Sequence, residues 1–235
     1  MKVTIKREDK FVVYEVDLTG ATLLELLGHI KTEIDNTLVF SSGCRSSVCG
    51  SCSMRVNERE VLACSYKVQD GDAIEPLKNV PVIRDLVVDM DASYAFNAKA
   101  KAWLTQGQSS VTLDHEDEKI NEVQSDCILC GSCYSACPVY AVKPDFLGPF
   151  ALTRVWKYMS DKREDGTQEK VNNIQTDGVW DCTLCNECTL VCPQNISSKA
   201  DIEKLRMKSA QYGFMDPNFA SFGGNFGSFD GSPSF

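Results

Sequence analysis

Cys127-Ile-Leu-Cys130-Gly-Ser-Cys133-Tyr-Ser-Ala-Cys137-Pro138 and Cys182-Thr-Leu-Cys185-Asn-Glu-Cys188-Thr-Leu-Val-Cys192-Pro193 are near-copies of one phrase, C-x2-C-x2-C-x3-C-P. That spacing holds a [4Fe–4S] cubane. Three cysteines three apart lie on a tight curl of backbone, so their sulfurs converge on three corners of one cube. The fourth, just before proline, leaves the curl and in two-cluster proteins ligates the other cluster. The expected sets are Cys127, Cys130, Cys133 and Cys192 around one cluster, and Cys182, Cys185, Cys188 and Cys137 around the second. Zinc and disulfides are the competing readings, but zinc fingers prefer paired C-x2-C knuckles.

The chain has 235 residues, enough for one large or two modest domains. A net charge of -9 argues against nucleic acid and against an anionic membrane surface as partners. No stretch approaches the ~20 apolar residues of a transmembrane helix. The N-terminus, MKVTIKREDKF, lacks the apolar core of a signal peptide, and no twin-arginine pair is present. The twelve cysteines fall into three sets of four with cluster spacing. A reducing compartment, the cytoplasm, is the expected location, with the chain soluble or attached to the inner face of the membrane through a partner.

Residues 2–8 and 11–17 alternate with period two and read as a hairpin. Thr22 and Glu25 form a capping-box pair, and Leu23, Leu26, Leu27, Ile30 and Ile34 form an apolar face at helical spacing. Two strands and a helix open a β-grasp ferredoxin fold. Cys44, Cys49 and Cys52, with Cys64 twelve positions later, then give the C-x4-C-x2-C…C spacing of a plant-type [2Fe–2S] site. Gly43, Ser46, Ser47, Gly50 and Ser51 let the backbone approach the sulfides. Residues 54–57 and 60–64 read as a second hairpin, 72–75 as a strand and 91–104 as a helix. Helices are also expected at 149–159 and from Ser198 to near Gly213, with an exposed charged loop at 161–170. The expected fold class is α+β. An N-terminal β-grasp [2Fe–2S] ferredoxin domain (1–104) is followed by a linker (105–118), an all-α two-cluster ferredoxin domain (119–211) and a Phe/Gly-rich tail (212–235).

Cys44-Arg45-x-x-x-Cys49-Gly50-Ser51-Cys52-x-Met54, Leu62-Ala63-Cys64, Pro76-Leu77-x-Asn79-x-Pro81, the two cysteine runs and Leu147-Gly148-Pro149 together resemble the iron–sulfur subunit of succinate dehydrogenase and fumarate reductase. The resemblance spans roughly residues 1–210. It implies a non-catalytic electron-transfer subunit carrying one [2Fe–2S] and two further clusters. It also implies a separate flavoprotein subunit that holds FAD and interconverts succinate and fumarate, with the [2Fe–2S] end facing that flavin. A flavoprotein acting on 2-hydroxyacids, or a free ferredoxin-like carrier, are the rival readings.

Four positions depart from the family. Cys185 stands where an aliphatic residue commonly leaves a [3Fe–4S] cluster, so a second [4Fe–4S] cluster is expected, with [3Fe–4S] as the alternative should Cys185 point away. Val142 stands at the quinone-contacting tryptophan and Thr183 at a frequent histidine. Both point to a cysteine-rich, heterodisulfide-reductase-like partner in place of a membrane-anchor, quinone-binding one. Ser47 replaces a glycine, and Gly43 is expected to take over its flexible role. A dry shell is expected from Ile128, Leu129, Val139, Leu184, Leu190 and Val191. His29 reads as packing and His115 as solvated, so no catalytic set is present. The tail holds six of the eleven phenylalanines and is expected to dock on another subunit.

Overall fold

The computed structural model describes residues 1–107 and 110–217. Strand β1 (Lys2–Arg7) pairs antiparallel with β2 (Lys10–Glu15). Helix α1 (Leu23–His29) follows, started by the Thr22–Glu25 capping box. Strands β3 (Ser53–Val56) and β4 (Arg59–Leu62) form the second hairpin, and β5 (Ala73–Glu75) runs parallel to β1. The sheet order is β2-β1-β5-β3-β4. Asn57 and Glu58, between β3 and β4, both have positive φ, as a type I′ hairpin turn demands. Val3, Ile5, Met54, Val56, Leu62 and Ile74 form one buried core with Leu23, Leu26 and Leu27 of α1 and with Ile30 just after it.

Ile34 does not join that core; it is 49% exposed. The helix continues from α1 as a π turn, Ile30–Ile34, in which Asp35 N–H bonds the Ile30 carbonyl five residues back. The wider turn carries Ile34 past the apolar face that a 3.6-residue period assigns to it. Arg7 fastens this turn to the sheet. Its guanidinium donates to Asp35, Asp85 and the Tyr14 hydroxyl. The Thr37 and Tyr14 hydroxyls hold the Asp35 carboxyl down at about 2. Asp85 also accepts from Val39 N–H at 2.9 Å, which anchors the approach to the Cys44 loop.

A two-stranded ribbon, β6 (Val82–Arg84) and β7 (Val87–Val88), leads to α2 (Asp91–Lys99). This helix ends five residues before the expected 104. Lys101 takes φ +50° and Ala102 N–H bonds back to Asn97, while Ala100 and Ala102 turn into the second core. The short helices α3 (His115–Lys119), α4 (Glu122–Ser125), α5 (Ser132–Ser135) and α6 (Pro138–Val142) lead to α7 (Pro149–Met159). Then come α8 (Thr167–Asn173), α9 (Glu187–Leu190) and α10 (Ser198–Gln211). The expected linker thus contains the start of α3, capped by Asp114. Helix α7 is the centre of this half, packed against α10, α2, α4, α5 and α8. Phe150, Ala151, Leu152 and Val155 of α7 meet Ile202 and Leu205 of α10 and Val171 of α8 in the core.

The two halves are joined by buried polar contacts. Asn79 Nδ2 donates to the carbonyls of Tyr134, Ser135 and Cys137. The Ser135 hydroxyl donates to Glu60 of β4 at 2.7 Å, and Ser53 and Ser132 share a hydrogen bond at 2.8 Å. All of these partners on the helical side lie on or beside α5, so the interface fixes the helix that carries Cys133.

The charged loop expected at 161–170 is not wholly exposed. Lys170 and Glu164 form an ion pair at 2.8 Å with both side chains 1% exposed, and Lys170 also donates to the Thr105 hydroxyl. Glu164 accepts from Thr105 N–H and Gly166 N–H, so the pair closes the chain segment after α2 onto α8. Of the tail, Phe214 packs against the helical core; the other tail phenylalanines lie outside the described residues. Removing one partner of a buried pair strands the other charge, at a cost of about 3–5 kcal/mol. Lys170→Ala is therefore expected to lower the guanidinium midpoint of the cluster-loaded chain strongly. Lys170→Met combined with Glu164→Leu is expected to lower it much less.

Candidate metal centres

Residues 41–50 form no helix or strand. Their amides turn inward onto sulfur. Ser46, Val48 and Cys49 each donate N–H to Cys44 Sγ at 3.3 Å, Cys44 N–H reaches Cys49 Sγ at 3.3 Å, and Ser47 N–H reaches Cys64 Sγ at 3.3 Å. The N–H groups of Ser46 and Val48 pull the Cys44 thiol down to about 6, while burial pushes Cys52 up to about 11. The backbone needed for this is left-handed at Arg45 (φ 61°), Ser47 (φ 62°) and Gly50 (φ 71°). Gly43 does not take over from Ser47 as expected, since its φ is not positive; Ser47 itself adopts the left-handed conformation. Gly43 is instead small for space, because a Cβ there would lie 2.9 Å from Cys49 Sγ.

The two cysteine runs are built alike. Leu129 and Gly131 in the first, and Leu184 and Asn186 in the second, have φ between 53° and 82° at matching positions. These left-handed residues flank Cys130 and Cys185 and make the curl. A one-turn helix, α5 or α9, then carries Cys133 or Cys188. Cys127, Cys130, Cys133 and Cys192 line one cavity together with Phe150 and Ile196. Burial raises the Cys133 thiol well above its ordinary value, and the charges of Cys130, Cys127, Cys188 and Cys192 add to this. Burial likewise raises Cys137, next to Cys182 and Cys185. Cys188 is pushed up to about 12 by burial and then by Cys182, Cys137 and Cys185. Two groups of four thiols thus lie together, and Cys133 and Cys188 are the members through which the groups adjoin.

The donor sets fit iron–sulfur clusters. The fit rests on glycine positions where a Cβ would collide with the ligand shell, and on amides directed at sulfur. Leu184 N–H reaches Cys182 Sγ, Tyr140 N–H reaches Cys137 Sγ and Ile196 N–H reaches Cys192 Sγ, each at 3.4 Å. Among the described residues no three His, Cys, Asp or Glu side chains meet at the spacing of a single-ion site. A polynuclear cluster does not require that, because in a cubane each thiolate binds its own iron and in a [2Fe–2S] cluster only two share one.

Val139 of the expected shell is buried, and Ile128, Leu129, Leu184 and Val191 are half-buried. Leu190 departs from it at 62% exposed, because it lies on the outer side of the one-turn helix α9. Val142 is 83% exposed and Thr183 is exposed. His115 is solvated beside Glu118. Sequence reasoning missed Gln194, whose Nε2 donates to the Ser47 carbonyl at 3.0 Å across the two halves. It also missed the close approach of Gly50 to Cys130, where an added Cβ would stand 2.8 Å from Cys130 Cβ. Neither contact follows any spacing within the chain.

Residues 2–95 match the family described as 2Fe-2S iron-sulfur cluster binding domain, and residues 123–196 that described as 4Fe-4S dicluster domain. The chain is 37% identical over 220 residues to the fumarate reductase iron-sulfur subunit of Mycobacterium tuberculosis, covering 88% of this chain and 89% of that one. It is 33% identical over 229 residues to the corresponding subunit of Haemophilus influenzae, covering 88% and 89%. With the 8-methylmenaquinol:fumarate reductase iron-sulfur subunit of Wolinella succinogenes the identity is 34% over 221 residues, covering 88% and 69%. A chain in the solved Mycobacterium smegmatis Sdh1 complex in the apo form shares the fold, with a TM-score of 0.78 at 23% identity over 90% of this chain and 95% of that one.

Gly50→Ala tests the close approach. It places a methyl group against Cys130 and the Ile128 carbonyl at a left-handed φ, so a loss of about 1–3 kcal/mol is expected from crowding. Thermal melting should fall, and iron should be lost from both flanking centres, as read by iron analysis.

Proposed function

This chain belongs to the iron–sulfur subunits of the fumarate reductase and succinate dehydrogenase family, and on that premise we propose the route by which it connects its partners. It is an electron-transfer subunit of an oxidoreductase. The observation that carries the proposed route is the grading of thiol exposure along the molecule. Cys44 and Cys49 are exposed at one end and Cys185 at the other, while none of Cys127, Cys130, Cys133 and Cys192 is exposed. Exposed thiols in the first and last sets, and half-buried ones alone in the set between, suit a conductor whose two ends meet other proteins.

In this reading Cys44, Cys49, Cys52 and Cys64 hold a [2Fe–2S] cluster. Cys127, Cys130, Cys133 and Cys192 hold one [4Fe–4S] cluster, and Cys137, Cys182, Cys185 and Cys188 hold another. The clusters supply one-electron carriers; the chain supplies spacing, dryness and hydrogen bonds that tune potential. Gly50 against Cys130, and Cys133 beside Cys188, support a continuous path through the three sets. Cys185 stands between left-handed Leu184 and Asn186 as Cys130 stands between Leu129 and Gly131, which supports a complete fourth ligand, and so [4Fe–4S] over [3Fe–4S] at the far end.

The partner at the [2Fe–2S] end is proposed to be a flavoprotein subunit that holds FAD and acts on succinate or fumarate. The partner at the far end is proposed to be a cysteine-rich, heterodisulfide-reductase-like subunit. The exposed Val142 and Thr183 offer neither the indole nor the imidazole of a quinone pocket, which supports this choice. A quinone-linked membrane anchor is the second reading, favoured by the menaquinol in the name of the Wolinella succinogenes relative. Among the described residues no helix is long and apolar enough to cross a membrane, so attachment to one would run through such a partner.

Anaerobically prepared protein should contain about ten irons per chain, the sum of one [2Fe–2S] and two [4Fe–4S] clusters. A reduced [2Fe–2S] EPR signal should be present and no oxidised [3Fe–4S] signal. Cys185→Ser should create that [3Fe–4S] signal while leaving the [2Fe–2S] signal in place. Zinc in place of iron, or a [3Fe–4S] signal in the parent, would contradict these assignments. Purification of the native complex identifies the far partner, and turnover with succinate and fumarate but not lactate would support the dicarboxylate flavoprotein.

A further inference from the structure

We infer that Ser47 sets the potential of the [2Fe–2S] centre through its hydroxyl, and that Gln194 is the residue that positions it. This deepens the function proposed above and rests on its assignment of Cys64 to that centre. Ser47 is the only residue of 42–49 that is not exposed. Its Oγ lies 3.6 Å from Cys64 Sγ, and its N–H reaches the same sulfur at 3.3 Å. A cysteine bound to iron has no proton to give, so the hydroxyl must be the donor. The arriving electron adds one negative charge to the cluster and its ligands. A donor on Cys64 stabilises that reduced form more than the oxidised one and raises the potential.

The backbone shows that the side chain is held there against a steric preference. Ser47 has φ 62°, a conformation in which glycine is unstrained and L-residues are not. Its carbonyl is taken by Gln194 Nε2 at 3.0 Å, two residues after Cys192. A ligand loop of the second half thereby clamps the peptide that aims a hydroxyl at a ligand of the first.

The test is a redox titration of the cluster-loaded full chain, followed by the reduced [2Fe–2S] EPR signal. Ser47→Gly and Ser47→Ala both delete the hydroxyl and keep the N–H; the first relaxes the backbone and the second does not. Both are expected to lower the potential equally, by roughly three- to tenfold in the reduction equilibrium, the upper end being about 59 mV for one electron. An unmoved potential in both variants, or a change in only one, overturns the role of the hydroxyl. Gln194→Ala is expected to lower the potential in the parent but not in the Ser47→Ala background. An equal change in both backgrounds, zero included, overturns its positioning role. Absence of a [2Fe–2S] signal in the parent itself would overturn the underlying cluster assignment, a result distinct from these.

Discussion

Gly50 lacks a side chain because the Cys130 backbone and Cβ occupy the space where one would be. That contact joins a loop of one half to a ligand of the other with nothing between them. Electron hopping weakens steeply with distance, so the two halves must meet backbone to backbone at this place. The rest of the interface serves the same end. Its polar contacts come from the hydroxyls of Ser53, Ser132 and Ser135, the amides of Asn79 and Gln194 and the Glu60 carboxylate, each satisfied across the boundary. Apolar side chains also cross it, with Ile128 packed against the first core and Met90 against the second. Buried polar contacts fix one registration, because any slip leaves donors without acceptors.

The second constraint is charge. The chain is already acidic at -9, and twelve thiolates with their clusters would add more negative charge to its interior. Arg154 beside Cys127 and Arg206 beside Cys182 answer part of it; backbone amides directed at sulfur answer more. Amides of Ser46, Val48 and Cys49 converge on a single sulfur, and single amides serve Cys64, Cys137, Cys182 and Cys192. Making amides point at sulfur requires left-handed residues, at about 1–2 kcal/mol each when they are not glycine. Leu129 and Leu184 adopt that conformation at the same place in each run, so the repeat in sequence is a repeat in backbone geometry.

What could be read from the chain alone follows from which interactions are local. The capping box, the two hairpins and the matching cysteine curls depend on neighbours within a dozen residues, and their spacing announces them. Ile34 was misassigned because one π turn changes the helical phase, a change set by Arg7 and Asp35 binding across to the sheet. Lys170 sits in a polar run that reads as solvated, yet its partners Glu164 and Thr105 bury it. The early end of α2 likewise reflects burial of Ala100 and Ala102, which alanine-rich composition does not report. Gln194 is beyond any local pattern, since its partner is 147 residues away.

The two ends of the molecule differ from its middle in a way that bears on how it meets other proteins. Val48 is 66% exposed on the Cys44–Cys49 loop, and Val142 and Leu190 are 83% and 62% exposed in the cysteine-run half. Val48 adjoins Cys49, Val142 ends α6, which Cys137 caps, and Leu190 ends α9, which carries Cys188; a free carrier would be expected to present charge there for fast, reversible encounters. Apolar tips suit surfaces that stay covered in an assembly. Cys127, Cys130, Cys133 and Cys192 are half-buried beside Phe150 and Thr153 of α7, and the Gly50 loop presses on Cys130. An electron-transfer chain with apolar side chains beside its cysteines suits a fixed subunit, which is what its relatives' names also describe.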